Sequence, residues 1–269
     1  MSKKVLTLCT LVLTALPVNY SNLLGKSELN SSLSSINPDM DIFFTRFYKI
    51  LKSDAPKPDY EVFKEALSGF FNLKARNQVK KNLLTLIDFS ISSRLERMWI
   101  VDLNEMKVVN YSLVAHGRNS GNEFASYFSN KPSSYQSSLG FYLTDEIYYG
   151  KHGMSLLLDG VESGVNDKAR DRAIVMHGAN YVSRDFIRNN GRLGRSFGCP
   201  SIPMEDHEKI ISMLSGRSVI YIYHPDENYH KNSRMFTRET ALAGLQSFLI
   251  ETTGILDLYP ESLSIAGNY

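Results

Sequence analysis

The sequence predicts an α+β fold: a mainly β sandwich or barrel-like domain with an N-terminal helical extension and a few peripheral helices. Three observations predict it. Short apolar stretches with period-two alternation dominate the middle of the chain. Helical periodicity is confined to a few segments around them. The long alternation of strands and helices that a doubly wound parallel sheet needs is absent.

Taken in order, residues 1–22 have the form of an export signal. Lys3 and Lys4 give a basic start, residues 5–16 an apolar core and residues 17–22 a more polar exit. The apolar part is too short to span a bilayer, so removal of the segment is expected, with no membrane anchor left. Residues 23–39 are rich in Ser and Asn and read as a linker. Residues 40–82 form the helical extension. Phe43, Phe44, Phe47, Ile50 and Leu51 share one helical face, and Tyr60, Phe63, Leu67, Phe70 and Phe71 share another after the helix start at Pro58-Asp59.

Residues 83–225 carry the main domain. Leu83, Thr85, Ile87, Phe89 and Ile91 alternate with their neighbours as in a strand. Segments 98–103 and 108–114 flank Asn104-Glu105 as a hairpin, and 139–143, 155–158 and 173–176 are further short strands. Pro203 is expected to open a helix bearing Met204, His207, Ile211 and Leu214 on one face, closed by Gly216. Residues 219–223 read as a strand. Residues 226–269 form a C-terminal extension, helical over 240–251.

Composition narrows the function. With 43% hydrophobic residues the chain can bury an ordinary core. The formal charge is +2, and loss of Lys3 and Lys4 with the signal leaves the mature chain near neutrality. No basic run points to nucleic acid. The six histidines lack zinc-helix spacing and no cysteine cluster exists, so neither a metal nor another cofactor is expected.

Cys9 falls inside the apolar core of the signal, which leaves Cys199 as the one cysteine of the mature chain. An unpaired cysteine in an exported protein has three readings: an intermolecular bridge, an inert buried thiol, or a nucleophile. Inert burial suits an apolar helix or strand, whereas Gly198-Cys199-Pro200 marks a turn. A thiol nucleophile needs a base within reach and amide donors facing the charge that develops on its substrate. His116 and His177 each end an apolar run and precede a glycine. His177 is favoured as base by its link to the cysteine turn; His116 either lines a cleft or braces the fold. Gly198, with Cys199, offers amides for an oxyanion. Ser196 orients either the turn or the histidine. Arg192 and Arg195 flank the turn, as solvated residues or as grips for a substrate carboxylate. Tyr142, His152 and Tyr181 are cleft candidates, with packing as the alternative for each.

His177-Gly178 followed by Ser196-Phe197-Gly198-Cys199 resembles the signature of the L,D-transpeptidase catalytic domain (YkuD-like) family. Phe197 stands where the common pattern has histidine, and Pro200-Ser201 follows the cysteine, as in a divergent murein L,D-transpeptidase branch. Residues 114–121, 137–142 and 150–153 carry the same resemblance, which spans about residues 83–225. The resemblance implies an exported peptidoglycan enzyme of the periplasm or cell envelope, acting in cell-wall biogenesis on stem peptides. It implies Cys199 as nucleophile, His177 as base, and a backbone carbonyl at or near Gly178 holding the other imidazole nitrogen. The product is a 3→3 cross-link or released D-alanine. An L,D-carboxypeptidase and a non-catalytic wall-binding protein remain as alternatives.

Overall fold

The computed structural model describes residues 40–252, so the expected signal, the linker and the end of the C-terminal extension lie outside the described residues. Two helices come first, α1 (Met40–Ile50) and α2 (Tyr60–Ala75). The Asp59 carboxylate accepts hydrogen bonds from the amides of Glu61 and Val62, which satisfies two free donors at the start of α2. The aromatic faces of both helices turn inward: Phe43, Phe47, Phe63, Phe70 and Phe71 are all essentially inaccessible to solvent. Burying one such ring contributes roughly 2–3 kcal/mol.

Eight strands follow: β1 (Leu83–Asp88), β2 (Met98–Asp102), β3 (Lys107–Ser112), β4 (Gly140–Gly150), β5 (Gly153–Gly160), β6 (Val175–Ala179), β7 (Ser201–Pro203) and β8 (Val219–Tyr223). They form one sheet in the order β3-β2-β1-β8-β4-β5-β6-β7. The sheet nearly closes, because the chain leaving β3 reaches across to β7, where the Ala115 amide donates to the Ser201 carbonyl at 2.8 Å. This is the barrel-like form of the expected fold. The helices α3 (Arg184–Asn190), α4 (His207–Leu214), α5 (Glu227–Asn232) and α6 (Arg238–Glu251) decorate it. Helix α2 packs against α6, β1 and β8, with Phe248 of α6 among the rings of Phe47, Phe70 and Phe71.

Three details depart from the sequence reading. The strand expected over 173–176 lies at Val175–Ala179, so His177 is inside β6 rather than at its end. Pro203 closes β7 instead of opening a helix; α4 starts at His207. The C-terminal extension holds a second helix, α5, ahead of the expected one, and in it His230 Nε2 meets the Glu65 carboxylate at 3.0 Å. Proline lacks an amide donor, which suits the last residue of a short strand as well as the first turn of a helix. Among the described residues no helix is long and apolar enough to cross a membrane.

Candidate active site

Strands β6 and β7 run parallel, with His177 paired to Ser201. On the other side of β6, His177 pairs with Ser155 of β5. The imidazole is therefore held in the middle of a ladder, and its residue is only 2% exposed. Its Nδ1 lies 2.9 Å from the Gly178 carbonyl and its Nε2 3.0 Å from the Ser201 hydroxyl. A carbonyl only accepts, so Nδ1 carries the proton and Nε2 presents a lone pair. The ring of His152, from the β4–β5 turn, stacks on that of His177 at 4.2 Å between centroids. Burial pushes His177 below the ordinary histidine value, and nearby His152 and His207 act in the same direction. The base candidate is thus neutral at pH 7.

Gly178 allows this arrangement by having no side chain. A Cβ there would lie 2.6 Å from the His207 ring. The expected carbonyl partner of the histidine is therefore Gly178 itself.

The cysteine turn is built from its own polar groups. The Ser196 hydroxyl donates to the Cys199 carbonyl at 2.7 Å and accepts from the Gly198 amide at 3.0 Å. Ser196 orients the turn, not the histidine. The Gly198 amide is committed to it, which removes that amide from the oxyanion-hole role and leaves the Cys199 N–H as the remaining member of the pair. Gly198 has φ +127°, and a Cβ would fall 2.8 Å from the Gln136 carbonyl, so no other residue fits without strain. The Ser137 hydroxyl donates to the Gly198 carbonyl, and the Arg118 amide to the Ser196 carbonyl. Segments 114–121, 137–142 and 150–153 thus converge on the turn and on His177.

Cys199 is partly buried, with its sulfur 3.5 Å from the Val175 amide and 3.8 Å from the Ala173 carbonyl. It lies two residues before Ser201, beside Val175, which is two residues before His177. The sulfur is thus held beside the start of β6, two residues along the chain from the residue that carries the imidazole. The Nε2 lone pair is engaged by the Ser201 hydroxyl. Burial raises the thiol above its ordinary value, while the Val175 amide and the Arg172 guanidinium pull it down. Arg172 donates to the Ser129 carbonyl, the Ser138 hydroxyl and the Gln136 carbonyl.

Other candidates stand elsewhere. His116 is buried; its Nδ1 meets Arg97 Nη2 at 2.8 Å and its Nε2 the Gly121 carbonyl at 3.3 Å, so it braces the fold instead of lining a cleft. Burial and the neighbouring Arg97 push it down to about 3. Tyr142 is buried too, and its hydroxyl donates to the Ser138 carbonyl. Arg192 donates to the Leu193 carbonyl, and Arg195 to the Arg118 and Gly121 carbonyls and Asn122. Both guanidiniums are tied to the protein, which weakens the carboxylate-grip reading. Arg118 was missed: exposed, it stands over the rings of Tyr135 and Phe197, themselves 4.9 Å apart. Phe197 is 64% exposed beside the turn. Arg172 was missed as well, because Arg170-Asp171-Arg172 reads locally as a solvated loop. Among the described residues no cluster of side chains is suited to a metal ion. Two residues beyond His177 and Ser201, Ala179 and Pro203 border a groove of about 530 Å³ also lined by Asn180, Ser183, Met204 and Asp206.

Comparison with known proteins adds a family. Residues 54–223 match the family model described as L,D-transpeptidase catalytic domain. No curated protein matches the chain. Solved structures that match the chain include an L,D-transpeptidase from Mycobacterium smegmatis (11% identity, TM-score 0.33, covering 53% of this chain and 59% of that one). Others are the helical cell shape determining protein Pgp2 from Campylobacter jejuni, as a K307A mutant (12%, 0.36, 71% and 64%), and an L,D-transpeptidase from Stackebrandtia nassauensis (10%, 0.33, 70% and 92%). The chain spans just over half the length of the first of these.

Proposed function

Because the chain belongs to the L,D-transpeptidase catalytic domain family, we propose that it is an exported, peptidoglycan-modifying cysteine L,D-transpeptidase of the periplasm or cell envelope. The observation that supports this reading is a neutral imidazole on β6 whose strand also bears, at the Val175 amide two residues earlier, the sulfur of the sole cysteine of the described residues. Cys199 gives its proton to His177 Nε2, and its sulfur attacks the carbonyl of the third residue of a stem tetrapeptide at that residue's L-centre. The tetrahedral intermediate collapses, the bond to the terminal D-alanine breaks, and His177 returns the proton to the leaving amine. The thioester at Cys199 is then attacked by the side-chain amine of a second stem, which loses a proton to His177 and forms a 3→3 cross-link. Attack by water in its place gives a tripeptide, the carboxypeptidase outcome.

The Cys199 amide is the donor left to face the developing oxyanion; losing one such donor costs on the order of 3 kcal/mol of barrier. Arg118, held over Phe197 and Tyr135, takes over the carboxylate-gripping role that Arg192 and Arg195 do not fill. Its replacement by alanine is expected to raise KM severalfold with kcat little changed, as steady-state kinetics on a disaccharide tetrapeptide would report.

Mass spectrometry of purified muropeptides incubated with the protein tests the whole reading. Dimers with a 3→3 link support transpeptidation, and tripeptide monomers alone mean hydrolysis. Cys199→Ala and His177→Ala should each abolish both products while far-UV circular dichroism stays unchanged. Turnover retained by Cys199→Ala would remove the cysteine mechanism, and no product from the wild type would leave a wall-binding role.

A further inference from the structure

The hydroxyl chain behind His177 has a direction. Nδ1 donates to the Gly178 carbonyl, so Nε2 must accept, and the Ser201 hydroxyl 3.0 Å away must donate to it. A serine has one hydroxyl proton. With that proton committed, the Tyr181 hydroxyl, 3.0 Å from Ser201 Oγ, must be the donor in the next bond. Ser201 is wholly buried and Tyr181 partly so.

We propose that Ser201 and Tyr181 are positioning residues that hold the ring plane of His177, whose tautomer the Gly178 carbonyl sets, and tune its basicity through this two-hydroxyl relay. A donor on Nε2 stabilises the neutral imidazole and opposes its protonation. The same hydroxyl holds the lone pair that the Cys199 proton needs, so Ser201 must either yield Nε2 to the thiol or pass its own proton to Nε2 while taking the thiol's, which leaves a thiolate, an imidazolium and an intact serine hydroxyl. The other titratable groups around the ring are His152 stacked on its face and His207 against Gly178, with Cys199 in the turn that leads into β7. The catalytic consequence rests on the transpeptidase reading, whereas the tautomer and its tuning do not.

Long-range proton–nitrogen NMR of His177 in a Cys199→Ala background tests the relay whatever the reaction is. Nδ1 should carry the proton and Nε2 should resonate as a hydrogen-bonded acceptor. Adding Ser201→Ala should move Nε2 toward the free-acceptor value and raise the protonation constant of His177 about fivefold, the equivalent of one ordinary hydrogen bond. Tyr181→Phe should do the same to a smaller extent, and Ser201→Thr, which keeps the hydroxyl, should restore both readings. An unchanged Nε2 shift and titration midpoint in Ser201→Ala would overturn the relay. If that variant fails to fold, Tyr181→Phe against Ser201→Thr decides by the same two readings. With Cys199 present, the acid limb of kcat/KM should move up in pH in Ser201→Ala with KM unchanged. A relay seen by NMR without that movement would overturn the positioning role, and a wild type without turnover would count against the enzyme reading alone.

Discussion

At the scale of single residues, Cys199 is set by opposed influences. Burial disfavours the thiolate, and the Val175 amide and the Arg172 guanidinium favour it. The thiol titrates above its ordinary value, so the thiolate and the alkylation it supports should appear only at alkaline pH. Removing the charge leaves only backbone amides, that of Val175 first, to oppose desolvation. Arg172→Met is therefore expected to shift the midpoint of the iodoacetamide rate against pH further upward. Arg172→Lys should keep it near the wild-type position, because a lysine retains the charge while losing the planar fork that holds the loop at Ser129, Gln136 and Ser138. A midpoint equally displaced in both variants would mean that loop geometry, not charge, sets the thiol. His116 is a contrasting case. In sequence it is nearly the twin of His177, an apolar run ended by His-Gly. The two part only in three dimensions, where Arg97 fills the space beside one ring and Ser201 meets the other.

At the scale of elements, the site is a seam between β6 and the short β7, and β7 is what the sequence hid. Its three residues follow Gly198-Cys199-Pro200, where turn chemistry overrides any strand pattern, and Pro203 imitates a helix start. The amphipathic helices and the strands with clean alternation were legible, because one buried face leaves a regular imprint of period 3.6 or 2. Cys199 and His177 were legible as chemistry, since each stood in an unusual setting. Ser201 is two residues past the cysteine and opens β7, which is what brings it opposite His177. That pairing becomes readable only once β7 is known to be a strand. Arg172 and Arg118 act through contacts with residues far away in the chain, and nothing local marks them. The seam's geometry depends on the backbone of Gly198 at φ +127° against the Gln136 carbonyl. Gly198→Ala is expected to cost about 1–3 kcal/mol in urea unfolding and to displace the Cys199 sulfur. A variant with wild-type stability and wild-type alkylation kinetics would mean that the turn relaxes freely.

At the scale of the whole molecule, the nearly closed sheet is braced by polar groups with no access to water, and these fix its response to acid. Arg97 is fully buried; it donates to the Val114 and Ile91 carbonyls and to His116, and lies over the Phe89 ring. His116 in turn accepts the Ser196 amide at its own carbonyl, so the brace reaches the cysteine turn. A histidine held near 3 when folded and 6.5 when free makes stability fall as pH drops. Above 6.5 both states are neutral and the residue contributes no pH dependence. Between 6.5 and 3 the unfolded chain binds a proton that the folded chain refuses, which costs about 1.4 kcal/mol per pH unit. His177 and His224, also lowered by burial, add to the loss below 6.5. The buried carboxyls of Asp88 and Glu162 are raised, so they act in the opposite sense, binding protons more readily when folded. His116→Gln keeps an acceptor for Arg97 and a donor for the Gly121 carbonyl but does not titrate. Urea midpoints measured from pH 7 to pH 5 should therefore decline less steeply in His116→Gln than in the wild type, with the two curves closest at pH 7. Parallel curves over that range would show that His116 is not held neutral by the brace.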